Sequence, residues 1–235
     1  QLVIILSNKF MNKLIKNKIY IFFKLLILKN SLLRTFQILE CLNLSLKGKS
    51  IEFGAVKNKK KNFSNFLRKK QFFHYSNIFT DKKNNIFFND LTKKLKMKNS
   101  SYNNILLFNV LEHLPDFKFT FKELNRIMKK NSYLIGSVPF LYQVHGAPKD
   151  YFRFTPQFFN LYFKKNNFKI IKLKCLGHGP FVACCSLIYP YISLIPFLNL
   201  IFLTIAVIFD SIIQLFVKTE LKTIFPVGIF FIVKK

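Results

Sequence analysis

The stretch HGAPKDYFRFT, residues 145–155, gathers His145, Asp150, Tyr151 and Arg153 in a chain otherwise dominated by Lys, Asn, Ile, Leu and Phe. The 235 residues hold only four histidines and four arginines, so a segment with one of each is where chemistry is sought first. An imidazole with an unperturbed pKa near ~6.5 can take the proton of a substrate hydroxyl. His145 is the candidate for that base, or else a pin that holds its loop. Asp150 and Arg153 can pair with each other and fix the loop shape, or reach a sugar or phosphate-bearing acceptor. The structural role is favoured for that pair, and Tyr151 is the readiest of the three to touch substrate. A second polar group closes NNILLFNVLEHLPD, residues 103–116, where Asn109, Glu112 and His113 follow a buried run. His113 points either toward a bound ligand or into the packing below, and packing is favoured. The sequence carries no serine elbow of the G-x-S-x-G kind and no P-loop.

The elements that must position these groups alternate between two periods. GKSIEFGA (48–55), QFFHYSNI (71–78), IFFNDLT (86–92), NNILLF (103–108), SYLIGSVPF (132–140), FKIIKLKCL (168–176) and FPVGIFFIVKK (225–235) read as strands. KKKNFSNFLRKK (59–70), FTFKELNRIMKK (119–130) and TPQFFNLYFKKNN (155–167) read as helices, the last with Pro in its first turn. Asn131 is expected to take the left-handed cap position after the second of these helices. Residues 10–46 read as two helices broken near Lys29-Asn30-Ser31. Strands and helices alternating at this spacing predict an α/β fold with a doubly wound sheet. In such a sheet the ligand crevice lies at the carboxyl ends of the strands where their order reverses.

The net charge of +28 would ordinarily suggest nucleic acid or an anionic membrane. All but four of the 38 basic residues are Lys, however, and a phosphate-gripping surface favours the bidentate fork of Arg. Nucleic acid is therefore the disfavoured partner, kept as a rival reading on the same scaffold. Cys41, Cys175, Cys184 and Cys185 have no metal-ligand spacing and no pairing pattern, so they read as reduced small hydrophobes in a cytoplasmic setting, and no metal is expected. No cleavable signal peptide is visible, and the chain opens on Gln1 rather than Met, so further residues are expected before it.

NVLEHLPD (109–116), with the helix and strand KELNRIMKKNSYLIGSVPF behind it, resembles the motif after the fourth strand of the class I S-adenosylmethionine-dependent methyltransferases. HGAPKDYFRFTPQFF is similar to a stretch of the type 11-like bacterial subgroup associated with polysaccharide and cell-envelope biosynthesis, and FPVGIFFIVKK resembles the family's antiparallel last strand. The resemblance covers roughly residues 48–180 and returns at 225–235. It implies a Rossmann-like sheet, S-adenosylmethionine as cofactor, and an oxygen acceptor on a glycan, lipid-linked sugar or other envelope precursor. It places Glu52, Gly54, Asn77, Asp90, Leu91, Asn109 and Glu112 around the cofactor, and Asp150 and Arg153 with the acceptor beside His145 and Tyr151. The sequence departs from the family's pattern in two places. IEFGAVKN carries one glycine where the family has several, and Asn77 stands where an acidic residue holds the ribose, with Asp81 a possible substitute. These departures support the rival reading, a membrane-associated binding module that keeps the fold without catalysis.

Residues 177–209 contain no charged side chain. Two membrane crossings need about 40 apolar residues and a turn. A single crossing would put the strands 168–176 and 226–234 on opposite sides of the bilayer. The expectation is one methyltransferase-like domain over 1–235, with a helical lead-in (1–47) and a hydrophobic insertion (177–224) that lies on the inner face of the cytoplasmic membrane. Covering a sheet edge or forming a dimer face is the alternative for that insertion.

Overall fold

The computed structural model describes residues 20–146, 149–195 and 197–235. Expectations that fall on residues 10–19, on Pro148 or on Pro196 lie outside them. Within them the contacts gather into two compact units, one whose described residues are 20–43, 141–143 and 175–228, and the other over 44–140, 144–174 and 229–235.

The second unit is built on a seven-stranded sheet. Its strands are β1 (Ser50–Phe53), β2 (Phe73–Asn77), β3 (Ile86–Phe88), β4 (Tyr102–Phe108), β5 (Met128–Pro139), β6 (Lys169–Leu176) and β7 (Gly228–Lys234). Their order is β3-β2-β1-β4-β5-β7-β6. The first five pair in parallel, and the chain steps outward from β1 to β3 before crossing back to β4. β7 runs antiparallel to β5, since Asn131 N–H donates to the Lys235 carbonyl at one end and Ser137 Oγ to the Ile229 carbonyl at the other. Parallel strands covered on both faces need unbroken apolar runs, and Ile105, Leu106 and Leu107 of β4 are wholly buried. Close packing is tightest at Gly136, where an added Cβ would lie 2.4 Å from the Phe231 ring.

Helix α3 (Phe117–Ile127) begins where Asp116 accepts the Phe119 N–H, and α4 (Pro156–Lys165) where Thr155 accepts that of Phe158. Phe121 of α3 meets Phe163 of α4, which also packs with Phe159 on Phe231. Two helical expectations are corrected. Residues 59–70 form no α-helix; they make two short 3-10 turns, Lys59–Lys61 and Phe63–Phe66. The Glu52 carboxylate holds the backbone N–H groups of Phe63 and Ser64, and Phe63 stacks on Phe108 at 4.1 Å, so a tertiary anchor overrides the local periodicity. α3 also ends at Ile127, earlier than its lysine run implies, because Met128 already pairs with Tyr102. Asn131 is left-handed as expected (φ 62°), but it lies inside β5 rather than capping a helix.

The first unit is helical. α1 covers residues 20–27 and α2 Leu32–Cys41, with the break at 28–31 where the sequence predicts it: Lys29 is left-handed and Ser31 accepts the Arg34 N–H. α5 (Pro180–Ile192), α6 (Leu198–Phe216) and the single turn α7 (Leu221–Ile224) follow β6. Leu26, Leu32, Val182, Cys185, Leu203 and Ala206 form its core. Asp210 of α6 is fully buried and accepts the N–H groups of Phe181 and Val182, both at 2.9 Å. The ends of this excursion meet, with Val227 N–H donating to the Leu176 carbonyl at 2.8 Å.

Candidate active site

The strand order reverses between β1 and β4, and polar residues stand at the carboxyl ends around that point. Gly54 follows β1 in the left-handed region (φ 77°), and an added Cβ would meet Val110 Cγ2 at 2.6 Å. Asn109 ends β4, also left-handed (φ 52°), a conformation Asn tolerates, and its N–H donates to the Ser137 carbonyl. Asn77 ends β2 and ties itself inward, donating to the Ala55 carbonyl at 2.8 Å and accepting the Ile78 N–H at 2.6 Å. Asp90, after β3, accepts the Thr92 N–H and hydroxyl on Oδ1, while Lys93 Nζ stands 3.6 Å from Oδ2. The Thr92 contact holds the Asp90 carboxyl below its ordinary pKa, so it stays ionised. Leu91 is buried, and its carbonyl accepts the Thr120 hydroxyl.

Against the expected cofactor, which presents ribose hydroxyls, an adenine amine and a cationic end, this donor set fits in part. Asp90 stands at the end of β3 with both oxygens engaged by its own turn, Oδ1 by Thr92 and Oδ2 by Lys93. Asn109 and Gly54 bring backbone to the crevice at the switch point. Glu52 is different: both of its oxygens are held by backbone N–H groups of the 3-10 turn, and its carboxylate is a strut within the fold. Asp81 is likewise taken up by its own turn, accepting from Asn84 backbone and side chain.

The second cluster comes from the turn after β4 and the loop after β5. The Tyr151 N–H donates to the Glu112 carbonyl at 2.8 Å and joins the two segments. Asp150 grips Arg153 through two charge-assisted bonds, at 2.5 and 2.6 Å, and also accepts the His145 N–H at 3.1 Å. That clamp pulls the Asp150 carboxyl down to about 2. His145 Nδ1 lies 3.2 Å from the same carboxylate. His113 does not go into the packing below, as the sequence reading favours. Its Nδ1 sits 2.6 Å from the Lys149 carbonyl, and its ring meets that of His145 edge-on with centroids 5.0 Å apart. Tyr151 is exposed.

Glu112 is fully buried, and neither carboxylate oxygen has a hydrogen-bond partner. Desolvation pushes its pKa up to about 8. His113 Nε2 is 3.8 Å away, beyond hydrogen-bond reach. Glu112, His113 and His145 together offer three ligand atoms within 4.8 Å of one another. Spacing alone hides this group, because His145 lies 32 positions beyond His113 and only the β4–α3–β5 topology returns the chain to it. The one legible signal is the adjacency of Glu112 and His113 together with an aspartate shortly after His145.

Comparison with known proteins adds a family. The family model described as "Methyltransferase domain" matches residues 38–173. No curated protein matches the chain. Among solved structures, a SAM-dependent methyltransferase from Archaeoglobus fulgidus shares 11% identity at a TM-score of 0.51, covering 80% of this chain and 86% of that one. Phosphoethanolamine N-methyltransferase 2 of Haemonchus contortus, in complex with S-adenosyl-L-methionine, shares 11% at 0.50, covering 85% of this chain and 52% of that one. The [4+2]-cyclase SpnF shares 8% at 0.51, over 84% and 78%, so the fold itself is home to more than one chemistry.

Proposed function

The chain belongs to the methyltransferase domain family, and on that premise we propose that it moves the methyl group of S-adenosylmethionine to a hydroxyl oxygen of a glycan, lipid-linked sugar or other envelope precursor at a membrane surface. The observation that carries this reading is the joining of the turn after β4 to the loop after β5 by the Tyr151–Glu112 bond, beside the switch point of the sheet. The cofactor supplies an activated methyl carbon on a positively charged sulfur, so the protein has only to bind, orient and manage one proton. Asp90, the buried Leu91, Gly54 and Asn109 would hold it along the carboxyl ends. Asn77 and Glu52, committed elsewhere, serve by shaping the β1 and β2 ends. On the acceptor side Asp150 engages Nδ1 of His145, which leaves Nε2 with the lone pair that takes the acceptor proton. Exposed Tyr151 contacts the acceptor, and Arg153 holds Asp150 in place.

The membrane surface is supported by α6, which is long and apolar (mean hydropathy 2.1) yet 17% buried. α5, at 13 residues and roughly 1.5 Å each, falls short of a ~30 Å hydrocarbon core, so the pair does not make a two-pass hairpin. The second reading, a binding module without catalysis, is favoured by one observation: the Asn77 amide, which stands where a carboxylate would hold the ribose, turns one N–H and one oxygen lone pair inward to Ala55 and Ile78.

Titration calorimetry with S-adenosylhomocysteine separates the two. Micromolar binding that falls at least tenfold in Asp90→Ala, with the melting curve intact, supports the enzyme. A folded protein that binds none of it supports the module. Transfer of labelled methyl into a lipid-linked oligosaccharide fraction, against a protein-only control, then tests the acceptor class.

A further inference from the structure

We propose that Asn62 binds the cofactor, its side-chain amide giving the loop after β1 the hydrogen-bond donor that meets an acceptor oxygen of S-adenosylmethionine. The inference rests on the methyl-transfer reading and deepens it. It starts from the backbone of that loop. Ala55 N–H donates to the Ser76 carbonyl at 3.1 Å, and Val56 N–H to Oδ1 of Asn62 at 2.8 Å. A glycine-rich loop after a first strand holds an anionic group with its own N–H groups. Here the amides of Ala55 and Val56 are spent inside the fold, and the Ala55 carbonyl is taken by Asn77. Those two residues leave such a group no main-chain donor, so a side chain has to supply one.

Asn62 has that donor. It is 2% exposed, and among the described residues its Nδ2 meets no acceptor. Which amide atom is which follows from the contact itself: the Val56 N–H must face the oxygen, and this turns Nδ2 to the other side. Native folds rarely leave a buried N–H group without an acceptor. The backbone on either side is held as well. The Glu52 carboxylate grips the N–H groups of Phe63 and Ser64 at 2.7 and 3.0 Å, and the Asn62 carbonyl accepts the Asn65 N–H at 3.1 Å. The side chain therefore cannot swing round to another partner without giving up Val56. Val56 is 40% exposed, so the amide bonded to it lies one residue beneath the surface at the carboxyl end of β1. That end borders β4, where the strand order reverses.

The cofactor offers two kinds of acceptor to a neutral N–H group, the carboxylate of its amino-acid end and the ribose hydroxyls. The amide suits both, and the charged acceptor makes the stronger bond. The same geometry accounts for the single glycine of IEFGAVKN. Gly54 makes the turn, and Asn62 replaces the donors that further glycines would expose.

The test pairs Asn62→Asp, which keeps an oxygen for the Val56 N–H and removes the amide donor, with Asn62→Ala, which removes both. Each full-length variant is titrated calorimetrically with S-adenosylhomocysteine and with methylthioadenosine, which lacks the amino-acid carboxylate. Asn62→Asp should bind S-adenosylhomocysteine at least tenfold more weakly than the parent while sharing its melting midpoint. Asn62→Ala should lose at least as much and melt lower, since the Val56 bond goes with it. Unchanged methylthioadenosine binding by Asn62→Asp assigns the donor to the carboxylate, and a matching loss assigns it to the ribose. A second readout needs no variant: in the parent, the Asn62 side-chain amide protons, assigned by triple-resonance spectra, should shift and exchange more slowly once S-adenosylhomocysteine is bound. Equal affinity of the parent and Asn62→Asp, or amide signals unmoved by a ligand that binds, overturns the proposal alone. A folded parent that binds no S-adenosylhomocysteine overturns the methyl-transfer reading with it, which tells the two failures apart.

Discussion

Gly54 turns the chain at the end of β1 with φ 77°, and the space its Cβ would need is held by Val110 at 2.6 Å. Both facts oppose any other residue. Gly54→Ala should lower stability by about 1–3 kcal/mol through the left-handed backbone alone, and more if Val110 cannot shift. Urea unfolding reads the change as a lower midpoint at unchanged slope. The single glycine that looks like decay of the family's loop is therefore placed where the backbone requires one. Asn77 carries the opposite lesson. It stands where a carboxylate would face the ribose, yet its amide is spent on Ala55 and Ile78. Glu52 was legible as an acidic residue at a strand end, but its direction was not. Its oxygens turn away from the crevice to anchor the Phe63–Phe66 turn.

Among the elements, α5 and α6 are joined by a contact that no periodicity announces. Asp210, the first charged residue after the long uncharged run, is buried against the start of α5 and takes two of its unsatisfied N–H groups. Gly179 is bare because an added Cβ would lie 2.6 Å from the Asp210 carboxyl carbon. Asp210→Ala should cost about 1–2 kcal/mol, the usual worth of a helix cap, with a larger loss if the buried amides stay unpaired. The checking measurement is a thermal melt followed by far-UV circular dichroism, in which a midpoint equal to the parent's would show the cap to be idle. Element boundaries differ from the sequence reading where tertiary bonds compete with local preference. The basic run 59–70 has helical apolar spacing, but a carboxylate on a neighbouring strand claims its amides first.

At the scale of the whole molecule, charge and exposed apolar surface bear on the partner. Ile201, Ile205, Ile208 and Ile212 recur at helical spacing on α6 and are each about half exposed (57, 48, 52 and 48%). With a net charge of +28, such a face suits an anionic lipid surface. The protein should float with vesicles containing phosphatidylglycerol and not with phosphatidylcholine alone, and should release as salt is raised through the Debye regime. A double Ile205→Glu, Ile208→Glu variant should lose flotation while binding S-adenosylhomocysteine as the parent does. Equal flotation of the double variant would instead assign the contact to the lysines alone.

By itself the sequence determined most of the alternating strands and helices, the break between the first two described helices and, through its resemblance, the methyltransferase family with its antiparallel last strand. The first two are local matters, in which a side chain's period, a turn residue or a proline acts on its own stretch of chain. Only the tertiary structure decided which polar groups are spent and which are left over. It committed Glu52, Asn77 and Asp81 to backbone partners, locked Asp150 to Arg153, and stranded the Glu112 carboxylate beside two imidazoles. Whether a buried polar atom is satisfied depends on groups tens of residues away in the chain, which only the crossover from β4 through α3 to β5 brings within reach.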